Sequence, residues 1–233
     1  MLANRILDRF PATGIVPGLV VGLALSISAP GAPVLAQTAS PTATAVATAT
    51  QRADVKPERL IRELSDTLQS VMRDAKTLGF AGRRNLLKPR LSDVYNLPAM
   101  ARIAVGPHWR KLTPPQQDQF VQAFSRLTIA TYASRFNGWS SQTFEMRGVK
   151  NVRAKTVLVK TAILNPNKET VEINYLMRQF QAGWKVIDIF LKGSYSELAT
   201  KRSEYSSVLR RKGYDTLMAQ INQKIAQYER NPK

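Results

Sequence analysis

The chain holds a single histidine, His108, in the stretch Ala104–Phe120 (AVGPHWRKLTPPQQDQF), and an acid, Asp188, set between Ile187 and Ile189. An imidazole, or a carboxylate in apolar surroundings, is raw material for general acid–base catalysis, because burial moves a pKa toward the working pH. Either residue would need partners. A Ser-His-Asp triad requires a nucleophile on a strained turn, and no G-x-S-x-G occurs. One histidine and no cysteine make a zinc site implausible, and the remaining carboxylates are scattered. The glycine patterns that cradle phosphates in nucleotide sites, G-x-G-x-x-G and G-x-x-x-x-G-K-[ST], are absent. Asp188 is expected to pair with a strand arginine such as Arg178 or to face solvent. His108, between Gly106-Pro107 and Trp109 and close before a helix start, reads as part of the fold.

What remains to explain is charge. Lys and Arg number 34 against 16 Asp and Glu, a formal net charge of +18. Such a chain suits polyanionic partners: nucleic acid, anionic lipid headgroups or cell-wall polymers. The N-terminus selects among them. Arg5 and Arg9 precede the apolar run GIVPGLVVGLALSISA, and PGAPVLAQ places Val34 and Ala36 at the small-residue positions before a cut at Ala36–Gln37. The run is shorter than the ~20 apolar residues of a membrane span, and Pro17 interrupts it. Residues 1–36 therefore read as a secretory signal peptide. Their only charges are Arg5, Asp8 and Arg9, so the mature chain keeps +17. Export sets nucleic acid aside and favours anionic membrane surfaces.

Residues 37–52 (QTASPTATAVATATQR) form a Thr/Ala-rich spacer without apolar period, leaving residues 53–233 as one domain. Leu60, Ile61, Leu64, Leu68, Val71, Met72, Ala75 and Leu78 share one helical face, which Gly79 ends. Short helices broken at Pro89 and Pro98 are expected next. Thr113, Pro114 and Gln116 then open a capped helix running to about Asn137-Gly138. Its apolar stripe shifts from Phe120, Phe124 and Leu127 to Ile129, Tyr132 and Phe136, so its two ends should meet different neighbours. After Trp139 the period becomes two: TFEMRGV, TVLVKTAIL, ETVEINYLMRQF and WKVIDIFLKG read as four strands on short turns, an antiparallel meander. Residues 195–230 are helical again, with a break at Gly213. The expected architecture is α+β, helices on one face of a curved four-stranded antiparallel sheet.

Asn96, Met100-Ala101, Gly106, Trp109, Thr113-Pro114, Gln117, Tyr132-Ala133 and Phe136, with Arg202, Ser203 and Tyr205 further on, stand in an order that resembles the MlaC, or toluene-tolerance, family. GRRNLLKPRLSDVYNLPAMAR and LKGSYSELATKRSEY look most like its hopanoid-associated branch, HpnM. The resemblance covers about residues 57–226. It implies a periplasmic carrier of phospholipid or hopanoid between inner and outer membranes, working with membrane-associated transport components, without catalysis or cofactor. In such a protein an apolar cavity between helices and sheet would hold the acyl chains.

The lining expected from this chain combines Ile129, Tyr132 and Phe136 with one sheet face. Alternation puts Val157, Val159 and Ile163 on one side of the second strand and Ile173, Tyr175 and Met177 on one side of the third. It groups Ile187, Ile189 and Leu191 on the fourth. Basic clusters at Arg83, Arg84, Lys88 and Arg90, at Arg110 and Lys111, and at Arg210, Arg211 and Lys212 offer docking surfaces, the last foremost. Two readings from other classes stand beside the carrier. One is a cavity enzyme with Asp188 or His108 as base; the other is an exported polyanion-binding protein with no cavity.

Overall fold

A computed structural model describes residues 55–166 and 169–230. The expected signal peptide (1–36) and the spacer (37–52) lie outside the described residues. Four helices come first: α1 (Pro57–Arg73), α2 (Ala75–Val94), α3 (Leu97–Val105) and, after a 3-10 turn over Gly106–Lys111, α4 (Pro114–Arg135). Strands β1 (Thr143–Arg153), β2 (Thr156–Leu164), β3 (Val171–Phe180), β4 (Gly183–Leu191) and β5 (Tyr195–Ser196) follow, and α5 (Glu197–Arg230) closes the fold. Among the described residues no helix is long and apolar enough to cross a membrane.

Local chemistry sets these boundaries. At the start of α4 the Thr113 hydroxyl accepts from the Gln116 N–H and the Gln116 side chain accepts from the Thr113 N–H, the reciprocal box that satisfies two otherwise orphaned donors. Gln117 Nε2 donates to the carbonyls of Trp109 (3.0 Å) and Leu112 (3.3 Å), fastening the 3-10 turn to the helix. Asn96 caps α3 by accepting from the Ala99 N–H, with Pro98 in the first turn. Gly106 adopts φ 61°, ψ −133°, and a Cβ there would come within 2.6 Å of Arg202 Nε. Only glycine meets both conditions.

Pro89 does not break a helix, contrary to the sequence reading. It sits inside α2, on its exposed side, while Leu87, Leu91 and Val94 are fully buried. Their packing outweighs a penalty of about 3 kcal/mol for a proline in a helix interior. Water can reach the exposed Asn85, whose carbonyl the proline leaves without an N–H.

The sheet is antiparallel in the order β1-β2-β3-β4-β5, five strands rather than the expected four, because Tyr195 and Ser196 pair with Leu191 and Phe190. Its helix-facing side forms cross-strand rows: Val157, Met177 and Val186; Val159, Tyr175 and Ile189; Thr161, Ile173 and Leu191. One row departs from simple alternation. A bulge at Ile187 lets Val186 pair with Met177, so Val186 joins the main core and Ile187, though buried, does not. An inserted residue reverses the facing of everything before it, which a period-two pattern cannot reveal.

Candidate functional site

Two halves of α5 enclose a cavity with α4 and the β3–β4 part of the sheet. Leu198 and Tyr228, both on its wall, would stand ~45 Å apart on a straight helix. The chain doubles back at Gly213, whose backbone (φ 79°, ψ 179°) is open to glycine alone among ordinary residues. The first half then contributes Leu198, Lys201 and Tyr205, and the second Leu217, Ile221, Lys224 and Tyr228. From α4 come Phe124, Leu127, Thr128, Thr131, Tyr132 and Arg135, residues at helical spacing on one face. Ile173, Ile189 and Leu191 form the sheet side, and the cavity measures about 260 Å³. That is just below the roughly 300–1,000 Å³ typical of small-molecule sites.

Of the residues expected from sequence, Tyr132, Phe136, Ile173, Ile189 and Leu191 meet at this wall. Val157, Val159, Ile163, Tyr175 and Met177 share the inward sheet face but sit in solid core beyond the cavity. Ile129 is buried on another side of α4, and Ile187 is displaced by the bulge. The shift in the stripe of α4 therefore has the cause foreseen in kind: the helix is central and covered on more than one side. The α5 wall was missed. A lysine inside each apolar stripe, Lys201 within Leu198–Tyr205 and Lys224 within Leu217–Tyr228, was the available signal.

One end of the cavity is aromatic. The Tyr95 and Tyr132 hydroxyls hydrogen-bond to each other, and their rings meet edge to face at 5.9 Å. Tyr132 stacks on Phe136 (5.4 Å), which stacks on Phe144 of β1 (6.4 Å). Burial pushes the Tyr132 hydroxyl up to about 12, against the opposing pulls of its bond to Tyr95 and of Arg135. Burial also holds Tyr95 and Tyr175 well above the ordinary phenol value.

The other side is charged. Arg135, Glu197, Lys201, Glu204 and Lys224 all border the cavity. None of the five forms an ion pair among the described residues. Burial lowers the Lys201 pKa; Glu197 and Glu204 oppose this, and Arg135 and Lys224 add to it. Lys201 Nζ lies 5.8 Å from the centre of the Tyr205 ring. Tyr205 is itself buried, with its ring edge-on to Phe120, and its hydroxyl has no hydrogen-bond partner among the described residues.

Asp188 has a different partner from the expected Arg178. Its Oδ1 accepts from the N–H groups of Ile189 (2.7 Å) and Leu198 (3.2 Å), and its Oδ2 accepts from the Ser196 hydroxyl (2.6 Å). The Ser196 oxygen in turn accepts from the Ala199 N–H. This carboxylate latches the start of α5 to β4, and both its oxygens are engaged. His108 lies in the 3-10 turn, away from the cavity wall.

The basic clusters also separate. Arg83 is 3 % exposed and donates to the carbonyls of Ala133 and Ala75, near the end of α4 and just before the kink at Gly79, where helical carbonyls lack partners. Arg84 pairs with Glu229 and Arg90 with Glu63. That first cluster is thus largely built into the fold. Arg210, Arg211 and Lys212 are exposed and form no ion pair among the described residues, at the end of the first half of α5.

A helical layer on an antiparallel sheet, with a largely apolar cavity bordered on one side by charged residues, defines a binding fold. Residues 62–223 match the family model described as MlaC protein, and the chain belongs to that family. A solved structure of the phospholipid-binding protein from Ralstonia solanacearum, in complex with a phospholipid, is similar in fold, with a TM-score of 0.66 at 23 % identity. The match covers 75 % of this chain and 99 % of that one.

Proposed function

We propose that this protein is an exported, periplasmic lipid carrier that shuttles phospholipid between inner and outer membranes by binding it, without chemical conversion. The observation that carries the reading is the cavity itself, with an aromatic and aliphatic wall on one side and charged side chains on the other. An acyl chain gains about 0.8 kcal/mol for each methylene buried, so roughly ten methylenes give ~8 kcal/mol, the scale of micromolar holding. The phospholipid held by the similarly folded Ralstonia protein supports the same cargo class. Asp188 and His108 support no catalytic alternative, since the first is spent on the α5 latch and the second lies off the cavity.

The free cations at Arg210, Arg211 and Lys212 fit reversible docking on an anionic bilayer or on acidic membrane-associated transport components. Transfer of an acyl-labelled phospholipid between donor and acceptor vesicles tests the proposal. The protein should accelerate transfer in proportion to its concentration. The double variant Ile173→Asp, Ile189→Asp should lose the acceleration. Failure of the wild-type protein either to take up lipid or to speed transfer would overturn the carrier reading.

A further inference from the structure

The sheet has a second face, turned away from the helices. Leu158 and Leu176 pair across β2 and β3 on that side, half-buried, and neither joins the core. Around them stand cations. Lys150 shares their row, Arg153 shares the next row with Arg178, and Lys160 lies in the row on the other side. Residues paired across a ladder point to the same face, so these four side chains all leave the sheet outward, and all four are exposed. With strands about 4.8 Å apart and alternate residues about 6.6 Å apart, their positions fall within roughly 10 by 13 Å. Lys155, in the turn of the β1–β2 hairpin, extends the group.

Neighbouring members stand within about a Debye length of one another (~8–10 Å), so they repel. Nothing beside them offsets this. None of the five forms an ion pair among the described residues. The acid in their rows is Asp188 on β4, already held by the α5 latch, while Arg147 engages both Glu145 and Glu172. Basic residues and bulges often guard an edge strand against pairing with other chains, and β1 has two such irregularities. That role covers Lys150 and Arg153. It does not reach Lys160 and Arg178, which lie on interior strands.

We propose that this outer face, at the hairpin end of the sheet, is a docking surface for an anionic lipid bilayer, separate from the cluster at Arg210, Arg211 and Lys212. Three of its five cations are lysine, a residue depleted in protein–protein interfaces. The exposed aromatic residues that could anchor a protein partner, Trp139 and Tyr195, lie toward the other end of the sheet. A diffuse planar charge therefore suits the patch better than a shaped protein surface. The long side chains can cover Leu158 and Leu176 with their stems while their heads reach lipid phosphates. Because the cavity lies on the helix side of the sheet, this contact holds the protein on a membrane without touching the cargo. Only its periplasmic setting rests on the carrier reading.

Sedimentation of the purified protein with vesicles of phosphatidylcholine mixed with phosphatidylglycerol, and with vesicles of phosphatidylcholine alone, tests this. Wild type should bind the mixed vesicles at low salt and the neutral ones far less. A cation near such a surface contributes roughly fivefold in affinity. Combining Lys150→Glu, Arg153→Glu and Lys160→Glu should thus weaken binding on the order of a hundredfold, with lipid content and circular dichroism melting as in wild type. The milder pair Lys150→Gln, Lys160→Gln should lose about twenty-fivefold by the same arithmetic and serves where the triple variant does not fold. Lys150→Arg with Lys160→Arg should bind like wild type. Losses from the triple variant and from reversal of Arg210, Arg211 and Lys212 should multiply, as for independent sites. Undiminished binding by folded variants, or equal wild-type binding to both vesicle types, would overturn the proposal. So would abolition of all binding by the Arg210, Arg211 and Lys212 reversal alone, or loss of bound lipid in step with docking. Patch-dependent vesicle binding without any lipid transfer would leave this dock standing and overturn the carrier reading instead.

Discussion

Replacing Asp188 distinguishes a latch from a catalytic base, because the two roles place the loss in different observables. In the latch, Asp188→Ala removes the acceptor for the Ser196 hydroxyl and for the Leu198 N–H, in the first turn of α5, where intrahelical partners are lacking. Loss of a helix cap costs about 0.5–2 kcal/mol, and an orphaned, partly buried donor about 1–3 kcal/mol. These overlap, so the expected loss is about 2–4 kcal/mol. For a domain of this size, that lowers Tm by roughly 4–16 °C. Asp188→Asn keeps one acceptor oxygen and should lose less than half as much. Leu198 and Lys201 both line the cavity, so lipid retention should fall in step with stability across the two variants. Thermal melts paired with lipid-content measurements supply the assay. An Asp188→Ala protein with unchanged Tm would refute the latch, and a hydrolytic activity lost in both variants would support a base.

Three other perturbations follow from the geometry. Gly106→Ala combines a positive φ with a Cβ pressed against Arg202, so chemical denaturation should show a loss of about 1–3 kcal/mol. Stability should also decline as pH rises from about 10 through about 12: Tyr132 has its pKa raised to about 12 in the fold, against about 10 unfolded. A group raised in this way stabilises fully below its unfolded pKa and stops doing so above its folded one. Denaturation midpoints at a series of alkaline pH values check this, and a flat profile across that window would count against the buried tyrosines. Finally, reversing Arg210, Arg211 and Lys212 together should weaken sedimentation with anionic vesicles, at about 1 kcal/mol per residue in low salt. The effect should fade at high salt while bound lipid persists. Lipid lost in parallel with docking would instead place these residues in cargo binding.

Much of this fold was legible because its signals are local. Thr113, Pro114 and Gln116 state a helix start within four residues, and the strands from Thr143 to Leu191 alternate over stretches long enough to fix their type. The breaks at Gly79 and Gly213 were readable for the same reason. Pro89 misled because the burial of Leu87, Leu91 and Val94, a tertiary effect, overrides a local penalty. Ile187 misled because a bulge carries no mark in a two-residue period. The site was half visible: Tyr132, Phe136, Ile173, Ile189 and Leu191 follow from periodicity, but the α5 wall depends on how sharply the chain turns at Gly213, which a sequence break does not specify. Arg83 shows the same limit from the side of charge, since one member of a basic run is buried against backbone carbonyls.

The central claim is that lipid occupies the cavity between α4, α5 and the sheet. Native mass spectrometry of the purified protein, with extraction and identification of whatever adds mass, tests it most directly. Wild type should carry a phospholipid-sized adduct, and the folded Ile173→Asp, Ile189→Asp protein should carry none. A wild-type protein consistently free of lipid, or an adduct retained undiminished by the double variant, would contradict the account.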